Sequence, residues 1–289
     1  MGFKVSLDNL EQAIENFKVD IVNRDFLSDI IAAIGRDGKL VRVNTTEDVY
    51  FIGDLHGDYE SLKRIISLSH ERRGIYVFLG DYVDRGPSQL ETFLGVLIFK
   101  LFNKDRTIVL RGNHEDPFMN EYYGFIYHLM SRLKGEWRIF YQNFIIPLYV
   151  SLPVSAVIKL GEGLRIFAVH GGIPIEAPSL DELEKIPEQE TITDSTLLQL
   201  LWNDPREGLE EYEPSFRGPG IYYFGRRILE EFLSKNDLSL VIRAHEPVED
   251  GYEALFNGKL YTVFTCRFYG IRPAMLRISK DGVIEPIFI

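Results

Sequence analysis

Residues 49–57 read VYFIGDLHG, four apolar residues followed at once by a glycine, an aspartate and a histidine. Four further apolar runs end in the same way, and they read IYVFLGDYVDRG at 75–86, TIVLRGNHE at 107–115, LRIFAVHGG at 164–172 and LSLVIRAHE at 238–246. Runs this rich in Val, Ile, Phe and Tyr are typical of strands buried in a sheet. Open α/β sheets bind their ligands beyond the carboxyl ends of such strands. We therefore expect one site there, formed by Asp54, His56, Asp81, Asp84, Asn113, His114, His170 and His245.

The composition excludes several classes of protein. The chain has 289 residues, of which 45% are apolar and 26% charged, which is typical of a globular protein with a large core. Its net charge of -11 argues against a general nucleic-acid binder or a binder of anionic membranes, because both need clustered Lys and Arg. A phosphorylated ligand must then be bound by local positive charge.

The sequence also favours a cytoplasmic location. Residues 1–9 lack the apolar core of a secretory signal. The apolar stretch at 93–102 is shorter than the ~20 residues of a membrane span and contains Lys100. Cys266 is the only cysteine, which excludes an internal disulfide and favours a reducing compartment. We predict a cytoplasmic protein without a membrane or nucleic-acid partner.

The order of patterns along the chain predicts an α/β protein. Residues 7–17 and 25–34 have helical spacing, so we predict an N-terminal helical layer at 1–45 packed on a catalytic domain at 46–289. Within that domain the predicted helices are 58–73, 88–103 with Ser88 as its cap, 120–133, 137–146, 179–186 with a Ser179–Glu182 capping box, and 225–235. Strands are predicted at 155–161 and 164–169, with three more within 260–289.

The residue types at the strand ends predict a two-metal centre. Carboxylate, imidazole and amide oxygen together suit manganese, iron or zinc, whereas a magnesium site would usually lack the three histidines. Two ions held ~3.5–4 Å apart need one shared carboxylate, and they lower the pKa of a bridging water so that hydroxide exists near neutral pH. Asp81 is the candidate for the shared carboxylate.

Hydrolysis of a phosphate ester needs two further functions. Arg85 and Arg111 can neutralise the phosphoryl oxygens as bidentate donors. The leaving oxygen needs a proton, and His114 directly follows the predicted ligand Asn113. Asp84 could fix the tautomer of that histidine and raise its basicity.

Three motifs carry a resemblance to a known family. GDLHG at 53–57, GDYVDRG at 80–86 and RGNHE at 111–115, at these separations, resemble the PPP family of serine/threonine protein phosphatases. The likeness continues through YGF at 123–125, LPVSAVI at 152–158, HGG at 170–172, LWNDP at 201–205, RGPG at 217–220 and RAHEPVEDGYE at 243–253. It covers residues 49–278. The resemblance implies the calcineurin-like metallophosphoesterase fold, a central β-sandwich of mixed sheets flanked by helices.

The resemblance also implies a set of ligands and cofactors. One ion would bind Asp54, His56 and Asp81, and the second would bind Asp81, Asn113, His170 and His245. A hydroxide that bridges the two ions would attack the phosphorus directly. The expected cofactors are two divalent ions, manganese in vitro, with iron and zinc as alternatives.

The residues that the resemblance places on the substrate are Arg85, Arg111, Arg217 and Tyr269. His114, supported by Asp84, would protonate the departing serine or threonine oxygen. Asp204 would contact the residues that bind the metals and the substrate without binding either itself.

Three functions are compatible with these motifs. The resemblance to the PPP family extends beyond the metal motifs, and this favours a phosphatase that acts on phosphoserine and phosphothreonine in proteins. The alternative is a small-molecule hydrolase resembling the dinucleoside tetraphosphatases, which share the metal motifs. A silent binding module ranks last, because such modules lose ligands and none is missing here. The compact chain resembles archaeal and bacterial members, so regulatory subunits are not implied.

Overall fold

A computed structural model describes residues 30–32, 34 and 38–289, and its centre is two mixed β-sheets packed against each other. The first sheet has six strands, in the spatial order β1 (Leu40–Thr45), β5 (Ser155–Leu160), β6 (Leu164–Val169), β10 (Leu240–Arg243), β12 (Leu260–Val263) and β11 (Tyr252–Leu255). The second has five, in the order β14 (Ile284–Phe288), β13 (Ala274–Ile278), β2 (Val49–Ile52), β3 (Ile75–Phe78) and β4 (Thr107–Val109). A small third sheet contains β7 (Asp204–Pro205), β9 (Tyr222–Phe224) and β8 (Tyr212–Pro214).

Strand β2 shows why the two large sheets form a sandwich. Successive side chains of a strand point to opposite faces of the sheet. Val49 and Phe51 pack in the cluster between the sheets, while Tyr50 and Ile52 pack in the cluster on the outer face. All four residues of the strand are therefore buried, which explains why its sequence is continuously apolar. The predicted β-sandwich of mixed sheets is confirmed.

Helices cover both outer faces of this sandwich. Apolar residues from the first group of helices bury the outer face of the five-stranded sheet, and this group comprises α1 (Tyr59–Glu71), α2 (Gln89–Phe102), α4 (Phe125–Leu133), α5 (Trp137–Phe140) and α6 (Ile146–Ser151). The short helix α3 (Pro117–Tyr123) directly precedes α4. The second group packs on the six-stranded sheet, and it comprises α7 (Leu180–Leu183), α8 (Ser195–Trp202) and α9 (Arg226–Lys235). No helix in the described part of the chain is long and apolar enough to span a membrane.

Two predicted helices differ from the structure. The helix predicted at 120–133 is divided into α3 and α4, because Gly124 adopts a left-handed conformation with a φ of 109°. The segment predicted at 137–146 contains a π-helical stretch, Tyr141–Ile145, between α5 and α6.

Ser88 occupies the N-cap of α2, but its side chain makes no capping hydrogen bond. The predicted capping box of Ser179 and Glu182 is present at α7.

The N-terminal prediction is only partly covered by the structure. Residues 7–17 and most of 25–34 lie outside the described residues. Ile30 and Ile34 are buried in the outer cluster of the five-stranded sheet. Strand β1 lies within the predicted helical layer, yet it pairs in parallel with β5. One strand of the sandwich is therefore contributed by residues 1–45, and the division of the chain at residue 45 stays a prediction.

Candidate active site

The loops that follow β2 and β3 are bonded to each other through their backbones. The N–H groups of Leu55 and His56 both donate to the Asp81 carbonyl oxygen, at 3.0 and 2.9 Å. Their approach leaves no room for a side chain at Gly86, where a Cβ would lie 2.0 Å from the carbonyl oxygen of His56. These contacts fix the relative positions of the residues that the two strands deliver.

Five of the residues predicted for the site have a backbone conformation that side chains rarely adopt. Positive φ values of 42°, 57°, 66°, 69° and 72° are found at His56, Asp81, Asp84, Arg85 and His245. Each such residue costs roughly 1–3 kcal/mol, and strained residues of this kind cluster at functional sites. The surrounding contacts must therefore impose these conformations.

Glu115 supplies three hydrogen bonds to the backbone of these loops. Its buried carboxylate accepts hydrogen bonds from the backbone N–H groups of Asp81, Tyr82 and Gly112, at 2.8, 2.9 and 2.8 Å. The sequence left open whether Glu115 is a partner of the site or a charge at a helix terminus. The three bonds show that it orients the Asp81 backbone.

The carboxylate of Asp81 lies between two groups of histidines. The Nε2 atom of His56 is 3.5 Å from Asp81 Oδ2 and 3.4 Å from Asp54 Oδ2. The Nε2 atom of His170 is 3.4 Å from the other oxygen, Asp81 Oδ1. The two oxygens of one aspartate thus face different imidazoles, as a shared metal ligand requires.

The group around His170 collects several acceptor atoms. Its Nε2 lies 2.8 Å from Asn113 Oδ1 and 3.1 Å from His245 Nδ1. The opposite nitrogen, Nδ1, is 3.0 Å from the carbonyl oxygen of Leu79 and is fixed there as a donor. In the neutral ring the lone pair of Nε2 then points at an amide oxygen. Acceptors that converge in this way are stabilised by a cation.

His56 is arranged on the same plan. Its Nδ1 lies 2.9 Å from the Val83 carbonyl oxygen, which leaves Nε2 for the two carboxylates. Burial disfavours the charged ring, but the hydrogen bond to Asp54 and the negative charge of Asp81 outweigh it and raise the pKa of His56 to about 9. The pKa of His170 is also raised, because the charge of Asp81 outweighs burial. The negative charge of the buried carboxylates therefore favours a nearby positive charge, which divalent ions would supply.

Two groups of metal donors result, and both are buried. The donor atoms of His56, Asp81 and His114 lie within 4.8 Å of one another, and so do those of Asp81, His170 and His245. Asp81 belongs to both groups. Mixed imidazole and carboxylate donors fit first-row divalent ions. The structure thus brings together all six predicted ligands, including Asp54 and Asn113 through the distances given above.

His114 and Asp84 form a hydrogen-bonded pair at the edge of this centre. The Nδ1 atom of His114 is 2.7 Å from Asp84 Oδ2. The other carboxylate oxygen of Asp84 accepts from the backbone N–H of Phe125 at 3.0 Å. The backbone N–H of His114 itself donates to Asp81 Oδ1 at 2.9 Å. The carboxylate of Asp81 therefore positions the predicted general acid as well as the histidines of the metal groups.

A cavity of about 140 Å³ opens above these residues. It is lined by the predicted substrate residues Arg85, Arg217 and Tyr269, together with Asp54, His56, Asp81, Asn113, His114, Met119, Tyr123, Trp202, His245, Pro247 and Phe264. The guanidinium of Arg85 lies 4.5 Å from the centre of the Tyr123 ring and 5.9 Å from that of Tyr269. Arg217 donates from Nε to Asp204 Oδ2 at 2.5 Å. Two arginines are thus positioned at the cavity by neighbouring side chains.

Arg111 does not line this cavity. Its side chain is 1% exposed and donates to the carbonyl oxygens of Glu115 at 3.1 Å, Gln189 at 2.9 Å and Glu190 at 3.5 Å. Its position two residues before Asn113 suggested a contact with phosphate, but the side chain bonds to the acidic segment before α8 instead. In this structure Arg111 connects that segment to the RGNHE loop.

Comparison with known proteins identifies the family. The calcineurin-like phosphoesterase profile matches residues 48–249. The chain belongs to this family. It is 35% identical to the serine/threonine-protein phosphatase 4 catalytic subunit of Saccharomyces cerevisiae over 254 residues, 85% of this chain and 78% of that protein. It is 36% identical to the subunit of the same name from Eremothecium gossypii over 242 residues, 81% of this chain and 74% of that protein.

A solved structure supports the fold. A protein serine/threonine phosphatase from Saccharomyces cerevisiae superposes with a TM-score of 0.79 at 24% identity, over 94% of this chain and 95% of that chain. The calcineurin-like fold predicted from the three motifs is confirmed, and the sequence matches confirm the resemblance to the serine/threonine protein phosphatases. Family membership and the two donor groups together make divalent metal ions the cofactors of this centre.

Removal of the shared carboxylate charge tests the metal assignment. We expect Asp81→Asn to bind Mn²⁺ at least about 100-fold more weakly, because loss of even an outer partner of a metal ligand typically costs 10–100-fold. Titration calorimetry and elemental analysis after desalting measure this. Asp84→Asn is the matched control, since Asp84 belongs to neither donor group and bonds to His114, the predicted general acid. Unchanged manganese content in Asp81→Asn would contradict the assignment.

The two arginines at 85 and 111 should respond differently to the same substitution. Arg111→Met should lower the free energy of unfolding by about 1–3 kcal/mol, because three carbonyl oxygens, including that of the buried Glu115, lose their donor. Arg85 is exposed, so Arg85→Met should change stability by less than about 0.5 kcal/mol and reduce kcat/KM by about 100-fold. Urea denaturation and turnover of p-nitrophenyl phosphate separate the two effects. The reverse pattern would show that Arg111 is the phosphate ligand.

Proposed function

We propose that this protein is a metal-dependent phosphatase that hydrolyses phosphoserine and phosphothreonine monoesters in proteins. The observation that carries the proposal is the His114–Asp84 pair, which faces the same cavity as two donor groups joined by Asp81. Both curated relatives are named serine/threonine-protein phosphatase catalytic subunits, which supports the choice of substrate. A metal centre with an adjacent proton donor is what cleavage of an unactivated phosphate ester needs.

The residues that would hold the ions are Asp54, His56, Asp81, Asn113, His170 and His245. His114 lies close enough to belong to the first donor group, but it would stay free of the ions as the proton donor. When bound there, divalent ions supply Lewis acidity toward phosphoryl oxygens and make water a nucleophile near neutral pH. Arg85 and Arg217 would bind the remaining phosphoryl oxygens through their guanidinium groups. Tyr123 and Tyr269, whose rings lie beside Arg85, would hold its side chain toward the cavity.

His114 would act on the leaving group. Asp84 accepts from Nδ1, so Nε2 is the nitrogen that can deliver a proton. That atom lies on the side of Asp81, 4.0 Å from its Oδ2. As the bond from phosphorus to the serine or threonine oxygen breaks, the proton of Nε2 would pass to that oxygen. Asp84 would stabilise the imidazolium before the transfer.

Direct attack by water is favoured over a covalent intermediate on serine or cysteine, and it is the mechanism that the family resemblance implies. Among the described residues that line the cavity there is no serine or cysteine. Burial raises the pKa of the Cys266 thiol to about 12, which keeps it protonated and unreactive. The proposal therefore contains one displacement at phosphorus and no phosphoenzyme.

The proposal extends to the metal, the location and the partners. We propose manganese as the activating ion in vitro, because the donor set of carboxylate, imidazole and amide suits it, with iron and zinc as alternatives. Phosphorylated proteins are the proposed partners, in the cytoplasm. The curated relatives are named catalytic subunits. For this chain the resemblance does not imply regulatory subunits, and that expectation stays a prediction.

Turnover of defined substrates tests the function. With Mn²⁺ we expect hydrolysis of phosphoserine and phosphothreonine peptides to exceed that of dinucleoside tetraphosphates. His114→Asn should lower kcat on the peptides by at least about 100-fold, because general-acid removal typically has that effect. Its manganese content should be retained. Product phosphate and elemental analysis give both values.

The control is the exposed histidine of α1, His70→Asn, which should keep wild-type rates. Preferential cleavage of the dinucleotides by the wild-type enzyme would replace the proposed function by the small-molecule alternative. Wild-type turnover in His114→Asn would remove that residue from its role.

A further inference from the structure

Asn120, on α3, makes four hydrogen bonds beside the catalytic pair. The residue is 0% exposed. Its Nδ2 donates to Asp84 Oδ2 at 3.0 Å and to the His114 carbonyl oxygen at 2.8 Å. Its Oδ1 accepts from the hydroxyls of Tyr141 at 2.9 Å and Tyr149 at 3.0 Å. Every polar atom of the Asn120 side chain is therefore used.

The direction of this amide is determined by its partners. A carboxylate and a carbonyl group can only accept, so the NH₂ group must face Asp84 and His114. The oxygen then faces two hydroxyls, which must donate. Burial raises the pKa of both Tyr141 and Tyr149 above the usual range, so their hydroxyls keep their protons. With the amide reversed, a carboxylate would face an amide oxygen in a buried site, at a large energetic cost.

The tyrosines reach Asn120 from a different part of the chain. Tyr141 begins the π-helical stretch Tyr141–Ile145, and Tyr149 lies on α6. π-Helical turns inside helices occur frequently at functional sites. The rigid helical layer is thus connected through Asn120 to the carboxylate that holds His114.

Both carboxylate oxygens of Asp84 therefore accept hydrogen bonds. Its Oδ1 accepts from the Phe125 N–H at 3.0 Å, and its Oδ2 accepts from Asn120 and from His114 Nδ1. The Asn120 amide also holds the carbonyl oxygen of His114, so it restrains both the backbone of the acid and the carboxylate that selects its tautomer.

We infer that Asn120 is a positioning residue for the general acid, and that its amide, held by the two tyrosine hydroxyls, keeps His114 Nε2 directed at the leaving oxygen. The inference rests on the proposed function only for the role of His114. It assigns Asn120 no contact with the phosphate and no part in metal binding, because Asn120 does not line the cavity and is absent from the donor groups.

The experiment compares leaving groups of different basicity. Phenyl phosphate needs protonation of its leaving oxygen more than p-nitrophenyl phosphate does, so weakened proton delivery should affect it more. We expect Asn120→Ala to lower kcat on phenyl phosphate at least about 10-fold more than on p-nitrophenyl phosphate. The manganese content of the variant should equal that of the wild-type enzyme.

Two further variants keep the test decisive if Asn120→Ala does not fold. Tyr141→Phe and Tyr149→Phe remove one donor each from Asn120 Oδ1 and leave the amide in place. Each should show the same preference for the activated substrate, at a smaller magnitude. An equal loss on both substrates, or no loss, in the folded variants would overturn the inference.

Asn236 provides a matched control. It is a buried asparagine whose amide donates to the carbonyl oxygens of Pro178 and Phe232, at 3.0 Å each, and none of these three residues lines the cavity. Asn236→Ala should lower stability but leave the ratio of the two substrates unchanged. Because both substrates are small aryl phosphates, the ratio can be read even if the wild-type enzyme fails to hydrolyse phosphopeptides, which would refute only the proposed function.

Discussion

The carboxylate of Asp81 is the interaction on which the rest of the site depends. One of its oxygens faces His56 and the other faces His170, while the backbone N–H of His114 donates to the second oxygen. Its own backbone is held by the carboxylate of Glu115. A single side chain thus contacts both donor groups and the proposed general acid, His114. Displacement of Asp81 would disturb metal binding and the position of His114 together. The many contacts to Asp81 prevent that displacement.

The strain at the site explains why those contacts are needed. Five residues with positive φ lie within a few residues of the strand ends, and the energetic cost of each is comparable to a sizeable share of a domain's net stability. The sandwich core of continuous apolar strands provides the stability that offsets this cost. Glycines allow the loops to approach closely, as at Gly112, where a Cβ would lie 2.2 Å from Asp81 Oδ1. The strands therefore provide stability, and the loops that directly follow them carry the residues of the site.

Sequence predicted the buried strands and the meeting of the polar side chains that follow them, because short runs such as VYFI are typical of buried strands and the ends of such strands lie at one edge of a sheet. The direction in which a side chain points was harder to predict. Arg111 sits in the right loop but points toward Gln189, and nothing in RGNHE distinguishes the two directions. Asn120 escaped notice because its partners lie up to 36 residues away in the chain. The break between α3 and α4 depends on the left-handed Gly124, within an otherwise continuous helical pattern. Edge strand β1 was missed because its exposed polar residues weaken the strand pattern.

The central claim is that Asp81 is shared by two metal ions. Anomalous diffraction from crystals of the manganese-loaded protein tests this most directly. The account predicts two peaks about 3.5–4 Å apart, one bounded by Asp54 and His56 and the other by Asn113, His170 and His245, with Asp81 between them. A single peak, or two peaks with Asp81 bound to neither, would contradict it.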